Sequence, residues 1–194
     1  MSEIPALLLF LLPLAYSPGP GNMVFAATGA RFGLRATLPA SVGYHLATWG
    51  VTVLIGMGMG RALLSDPVLL RAVQLCGAAY VLWLAFRMAR AGAIRSSDSA
   101  CVMGVGDGAL LLLLNPKAYM IIALMFTQFL QGGDWVEVAV IASVFTLNNL
   151  VSFTLWSAAG DGLARLFRDP ARARVMNLGL ALPLAAVAIW MTLS

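Results

Sequence analysis

Charge is scarce in this sequence. Only 10% of its 194 residues are Asp, Glu, Lys or Arg, while 61% are hydrophobic. A soluble domain carries about 25% charged and about 45–50% apolar residues. Too few polar groups are present to cover a globular surface, which excludes an ordinary soluble protein. Cysteine is scarce as well. Cys76 and Cys101 are far apart and form no C-x-x-C pair, which excludes zinc spacing and a disulfide framework. Cys76 lies in an apolar run and is expected to pack as a small hydrophobe. There is no G-x-S-x-G, no H-E-x-x-H and no Walker loop. Nothing therefore points to an enzyme, a metal or a cofactor. The opening MSEIPALLLF carries Glu3 and no basic residue, so no cleaved secretory signal is expected.

The balance of charge is basic, at +4 with a pI near 9.6. The arginines sit in short clusters between apolar runs, with no aromatic-interleaved basic patch. That pattern fits membrane topology and not nucleic acid.

What the sequence does have is long apolar runs. A membrane-spanning helix needs about 20 mostly apolar residues, and six segments qualify: 4–30, 38–60, 67–87, 103–130, 135–159 and 174–193. The polar connector 87–100 divides a single transporter-sized domain, 1–194, into halves of about 1–90 and 101–194. Asp66-Pro67 and Asp169-Pro170 read as helix starts, with a capping carboxylate before a proline at the first helical position. Pro39 opens the second span similarly. With the N-terminus outside, Arg31, Arg35, Arg87, Arg90, Arg95, Arg165, Arg168, Arg172 and Arg174 fall inside, and only Arg61 and Arg71 outside. Positive charge marks the cytoplasmic face. Both termini are thus expected on the periplasmic side of a bacterial inner membrane.

The halves resemble each other. SDPVLLRAVQL (65–75) lies over RDPARARVMNL (168–178), and SVGYHLATWGVTVLIGMGMGRA (41–62) over SVFTLNNLVSFTLWSAAGDGLA (143–164). Three spans per half is an odd number, so the second half must be upside down. The expected fold is all-α, with six transmembrane helices in a 3+3 inverted-topology repeat and the first helix of each half broken at proline.

The breaks are SPGPGN (17–22) and LNPKA (114–118). In lipid a broken helix is tolerated only inside protein or beside a cavity. Matching breaks in the two halves point to a transporter's substrate site. The restarted half-helix offers free N–H groups and partial positive charge to an anion. The interrupted one offers carbonyls to a cation. Together they suit a zwitterion. Pro18, Gly19, Pro20, Asn22, Asn115, Pro116 and Lys117 are the candidate substrate-binding residues. Gly19 and Gly21 are expected to let a ligand reach the backbone. A simple packing kink is the alternative for SPGPGN. Lys117, at mid-span, is too far from either interface to snorkel and is costly there. It either meets a substrate carboxylate or caps loose carbonyls at the break.

His45 reads first as a packed residue and second as a proton carrier. Asn148 and Asn149 line a pathway or bond between helices. Asp107 could face Lys117 only if the break folds back, and Asp161 reads as interfacial. The glycines of GMGMG (56–60) are expected to permit close helix packing.

PGP (18–20), GARFGLR (29–35), GAAYVLWLAFR (77–87) and LNPKA (114–118), in this order, resemble the LysE/RhtB amino-acid exporter family over essentially the whole chain. That resemblance implies export of amino acids or related small zwitterions driven by the proton motive force. The bilayer and a small amino-acid-like substrate are the partners it implies, and a homo-oligomer is compatible with it. Thr37, where members often have glycine, and Pro183 in the last span depart from the family pattern. Two other readings are a membrane redox carrier of related architecture and a non-transporting scaffold. The first needs a reactive cysteine pair at the breaks, which is lacking. The second has no use for a midplane lysine.

Overall fold

Proline decides where the helices stop and restart. A residue before proline is pushed out of the helical region by the ring's Cδ. Ser17 (ψ 145°), before Pro18, and Gly19 (φ −148°, ψ 174°), before Pro20, are both extended. Asn115 (φ −99°, ψ 97°), before Pro116, is extended too. In the computed structural model, α1 (Ile4–Tyr16) therefore ends and α2 (Pro20–Phe32) begins at the first break. At the second, α5 (Val105–Leu113) gives way to α6 (Pro116–Phe129). The remaining named helices are α3 (Leu38–Gly56), α4 (Pro67–Arg90) and α7 (Trp135–Leu166). A 3₁₀ turn, Leu34–Thr37, links α2 to α3 after Gly33, whose φ of 86° favours glycine.

The structure describes residues 3–58, 66–90 and 102–166, with residues 179, 181–183, 185–189 and 192 of the last segment. Among them the fold is helical with no strand. The connector after residue 90, the Asp169-Pro170 start and most of the sixth segment lie outside the described residues. The Asp66-Pro67 start is inside them: Asp66 Oδ1 accepts from the N–H groups of Val68 (2.9 Å) and Leu69 (3.2 Å).

Leu34–Gly56 and Trp135–Ala164 are each long and apolar enough to cross a membrane, and each bent pair passes the same test, bending by 63°. Pro67–Trp83 is a shorter apolar helix. Leu9, Leu46 and Leu147 are exposed, whereas Asn22, Asn115, Asn149 and Ser152 are buried. Apolar outside and polar inside reverses the order of a soluble protein, as a lipid surround requires. Cys76 follows the same logic. It is exposed on α4 and not packed as the sequence suggested, because an outward apolar side chain meets lipid here.

Glu3, at the start of α1, accepts from the Gln131 side chain just after α6 (2.5 Å). The two broken spans thus run antiparallel. Near this end Trp49 of α3 meets Trp135 of α7, ring centres 6.4 Å apart. The opposite end carries Arg31 and Arg35 and is packed differently. There α2 crosses α7, and α3 crosses α5, backbone against backbone. A Cβ on Gly29 would meet Ser157 O at 2.2 Å, and one on Gly160 would meet Ala26 O at 2.0 Å. A Cβ on Gly43 would meet Val105 O at 1.8 Å, and one on Gly108 would meet Ala40 O at 1.9 Å. Each crossing has a glycine from both helices. Between the two ends lie the breaks, held by α1, α6 and α7 through Leu11, Ile122, Met125 and Phe145.

Candidate functional site

The carbonyl end of α1 is fully engaged. Leu14 O accepts from Ser17 Oγ (3.1 Å), and Ala15 O from both Asn22 Nδ2 (3.1 Å) and Ser152 Oγ (2.9 Å). Tyr16 O accepts from Trp156 Nε1 (3.2 Å). Ser17 O accepts from Lys117 Nζ at 2.7 Å, and Ser17 Oγ lies 3.0 Å from the same nitrogen. The lysine of the second break therefore reaches across to the first. At α5, Leu113 O accepts from Tyr119 Oη (3.0 Å). The carbonyls that were expected to await a cation are occupied by the protein's own donors.

The restarting ends are bare by comparison. Neither α2 nor α6 has a side-chain hydrogen bond capping its N-terminus. Proline at the first position removes one donor from each end, and in α6 Ala118 N donates to Asn115 O (3.0 Å), yet each end still carries about half a positive charge. Asn115 occupies the N-cap of α6, where an Asn oxygen ordinarily accepts from the first turn. Here its Nδ2 donates to Tyr44 Oη (2.9 Å), and its Oδ1 is buried with no partner among the described residues. Leaving such an acceptor unmatched costs about 1–3 kcal/mol.

A small cavity of about 10 Å³ lies between the breaks, room for one water molecule. Asn22, Tyr44, Asn115, Lys117 and Asn149 supply its polar lining, and Phe145 and Phe153 its aromatic wall. Lys117, the chain's one lysine, is half-buried. Among the described residues no carboxylate pairs with it. Its stem crosses Gly19: a Cβ there would meet Lys117 Cδ at 2.7 Å. A Cβ on Gly21 would meet Phe153 Cζ at 2.8 Å. The bare faces of both glycines are thus used by neighbouring side chains.

The structure brings Asn22, Asn115, Lys117 and Asn149 to this cavity. Gly19 and Pro20 are buried beside it, Pro116 is half-buried and Pro18 is exposed. His45 touches the aromatic wall, 5.5 Å from the Phe153 ring, but does not line the cavity. Its Nδ1 is 2.7 Å from Ser41 O, and among the described residues its buried Nε2 has no hydrogen-bond partner. Asn148 is buried, its Nδ2 likewise without a partner among the described residues, and it too is off the cavity. Asp107 is exposed, and its carboxylate accepts from the N–H of the N-cap residue Gly104 (2.8 Å). It is committed to the start of α5. Sequence reasoning did not single out Tyr44, Ser152, Phe153 or Trp156. A signal existed: the buried polar residues Ser41, His45, Thr48 and Thr52 recur on one face of α3, and such a face inside a lipid-exposed helix marks the protein interior.

Comparison with known proteins gives a consistent result. The family model described as LysE type translocator matches residues 12–194. A homoserine/homoserine lactone efflux protein of Salmonella typhimurium is 25% identical over 179 residues, covering 89% of this chain and 87% of the relative. A cysteine/O-acetylserine efflux protein of Salmonella choleraesuis is 27% identical over 188 residues, covering 93% and 94%. A membrane protein of Vibrio cholerae is 26% identical over 173 residues, covering 85% and 84%. No solved structure matches.

Proposed function

From the premise that the chain belongs to the LysE type translocator family, a multi-pass family of bacterial efflux proteins, we propose that it exports small amino acids or closely related zwitterions. The observation that carries this reading is Lys117. An ammonium stands at the junction of both breaks, beside two helix N-termini that no side chain caps, with no carboxylate beside it among the described residues. Three sources of positive potential converge on one cavity, and a substrate carboxylate is the group that completes them. The same lining argues about the side chain. Lysine or arginine as substrate would bring a second positive charge to a cavity whose one charged lining residue is already positive. The aromatic wall favours a neutral side chain. The relatives named for homoserine, cysteine and O-acetylserine efflux agree with this.

The architecture we propose is the six-span 3+3 inverted repeat in a bacterial inner membrane, both termini periplasmic. The antiparallel course of the two broken spans supports it. Export is driven by the proton motive force, since no nucleotide-binding motif is present. The test is efflux from preloaded cells across neutral and basic amino acids, with and without a proton uncoupler. Saturable export of short neutral amino acids that collapses with the uncoupler is the expected result. Export limited to basic amino acids would overturn the substrate reading, and export insensitive to the uncoupler the coupling. For topology, a reporter active only in the periplasm is expected to work when fused after Ser194 and to be silent at Ser97.

A further inference from the structure

A zwitterion has two ends, and the positive potential at the breaks accounts for one of them. The other end needs an acceptor. Of the α1 residues, only Leu14 and Ala15 line the cavity: Leu14 O accepts from Ser17 Oγ, and Ala15 O already accepts two hydrogen bonds. The C-terminal end of α5 lies off the cavity: none of its residues lines it, and Leu110 O, Leu112 O and Leu113 O accept from Leu114 N, Asn115 N and Tyr119 Oη. Tyr44 Oη already accepts from Asn115 Nδ2. Of the buried polar atoms without a partner among the described residues, His45 Nε2, Thr146 Oγ1 and Asn148 Nδ2 belong to residues that do not line the cavity. Asn115 Oδ1 does. Its residue is 4% exposed and lines the cavity two positions before Lys117.

We propose that Asn115 Oδ1 receives the substrate's ammonium, so that Asn115 and Lys117 hold the two ends of one α-amino acid. This deepens the exporter reading and rests on it. Asn115 sits at an N-cap, yet its oxygen caps nothing. The position gives up an ordinary helix-stabilising bond and leaves an unmatched buried acceptor on a residue that lines the cavity, where buried acceptors are otherwise satisfied. An ammonium brings three donors on one atom and makes a charge-assisted hydrogen bond there, stronger than one from a neutral hydroxyl. The site then discriminates an amino acid from the hydroxy acid of the same shape. Uptake of Asn115 by its neighbours leaves this function intact, because Tyr44 holds Nδ2 and not Oδ1.

The test uses the full-length protein in proteoliposomes, with L-homoserine and its hydroxy-acid analogue 2,4-dihydroxybutyrate as probes. Both keep the carboxylate, and only the first has an ammonium. The parent is expected to move homoserine at least about tenfold better, the factor that corresponds to one charge-assisted bond. Asn115→Leu is expected to bring the ratio toward one by losing homoserine transport selectively. Lys117→Met is expected to lower both probes together, because it removes the carboxylate partner common to them. Asn115→Ser, which keeps a good N-cap residue and withdraws the acceptor, guards against misfolding and is expected to narrow the ratio as well. An unchanged ratio in both Asn115 variants, whatever their absolute rates, would overturn the assignment while leaving the exporter reading standing. A parent protein that moves no amino acid would overturn both.

Discussion

The chain bends by 63° at its first break and by 63° at its second, and the two bends are furnished differently. At the first, each of the last four carbonyls, from Leu14 to Ser17, accepts from a side chain. At the second, the side chains face outward from the helix: Lys117 crosses to Ser17 and Asn115 turns to Tyr44 and the cavity. One break is a closed receptacle and the other supplies the reactive polar atoms. Equal geometry is explained by proline, which forces the preceding residue out of the helix in both places. Unequal chemistry is not explained by proline. A break that served only to kink a helix would be satisfied locally at both sites. On the proposed reading, the second break carries recognition and the first holds it in position.

The comparison is broken most severely at Lys117. Lys117→Met keeps length and apolar bulk and removes the ammonium. A structural cap can be lost with the desolvation of its charge recovered. A carboxylate partner cannot be replaced in this way. We expect the variant to insert normally and to lose transport roughly ten- to hundredfold, the worth of about 1.5–3 kcal/mol for a charged hydrogen bond. Lys117→Arg is also impaired, because the planar fork does not follow the narrow path across Gly19. Transport by Lys117→Met at the parental rate would return both breaks to the status of kinks.

The next effect comes from the crossings that join the two halves at the arginine-bearing end. Gly43→Ala places a Cβ 1.8 Å from Val105 O, and that atom is backbone and cannot swing away. The helices α3 and α5 must separate. Thermal unfolding in detergent should show a loss of about 1–3 kcal/mol, the usual range for overpacking. Gly50→Ala, on the same helix with nothing within 4 Å, should stay within about 0.5 kcal/mol of the parent. Equal behaviour of the two variants would show that the close crossing contributes nothing.

Much of this was legible in the residues. Apolar run lengths give the all-helical, membrane-like character and the long apolar helices, and Pro18, Pro20 and Pro116 give the breaks, because these are local effects of composition and ring geometry. Asn22, Asn115 and Lys117 stand out because polar atoms in lipid are costly wherever they point. Asn149 is also at the cavity, but its neighbour Asn148 is not, and the sequence does not separate them. Helical phase relative to another helix decides that, and it is a tertiary property. For the same reason Gly19 reads as an opening for a ligand until Lys117 is seen lying across it. Tyr44 and Phe153 are invisible in a sequence where aromatic residues are common in spans. Helix ends shift for physical reasons too: α7 runs on to Leu166, beyond the apolar run, because Gly160 packs on Ala26 and no proline stops it.

A milder variant sharpens the comparison at Gly19. Gly19→Ala adds one methyl, 2.7 Å from Lys117 Cδ. The obstructed atom belongs to a flexible side chain, so the backbone can stay and the lysine must move. The expected outcome is normal insertion and a rise of about three- to tenfold in the half-saturating substrate concentration, with a smaller change in maximal rate. This corresponds to roughly 1 kcal/mol of lost positioning. Gly19→Val adds a branched side chain and should abolish export. An unchanged half-saturating concentration in Gly19→Ala would mean that the lysine's path does not matter to substrate.

The smallest effect is expected at the closed receptacle itself. Ser152 Oγ donates to Ala15 O at 2.9 Å and accepts from Asn22 Nδ2 at 3.2 Å. Ser152→Ala removes the hydroxyl, but Ala15 O keeps its bond from Asn22. The carbonyl is left with one donor and Asn22 Nδ2 with one acceptor, so neither atom becomes an orphan, and two hydrogen bonds are lost at about 0.5–1.5 kcal/mol each. Transport should remain within about twofold of the parent, because no atom that faces substrate has changed. Thermal stability should fall while the preference for homoserine over its hydroxy acid stays put. If that preference moved with Ser152→Ala, the first break would be reading substrate directly, and the division of labour between the two breaks would fail.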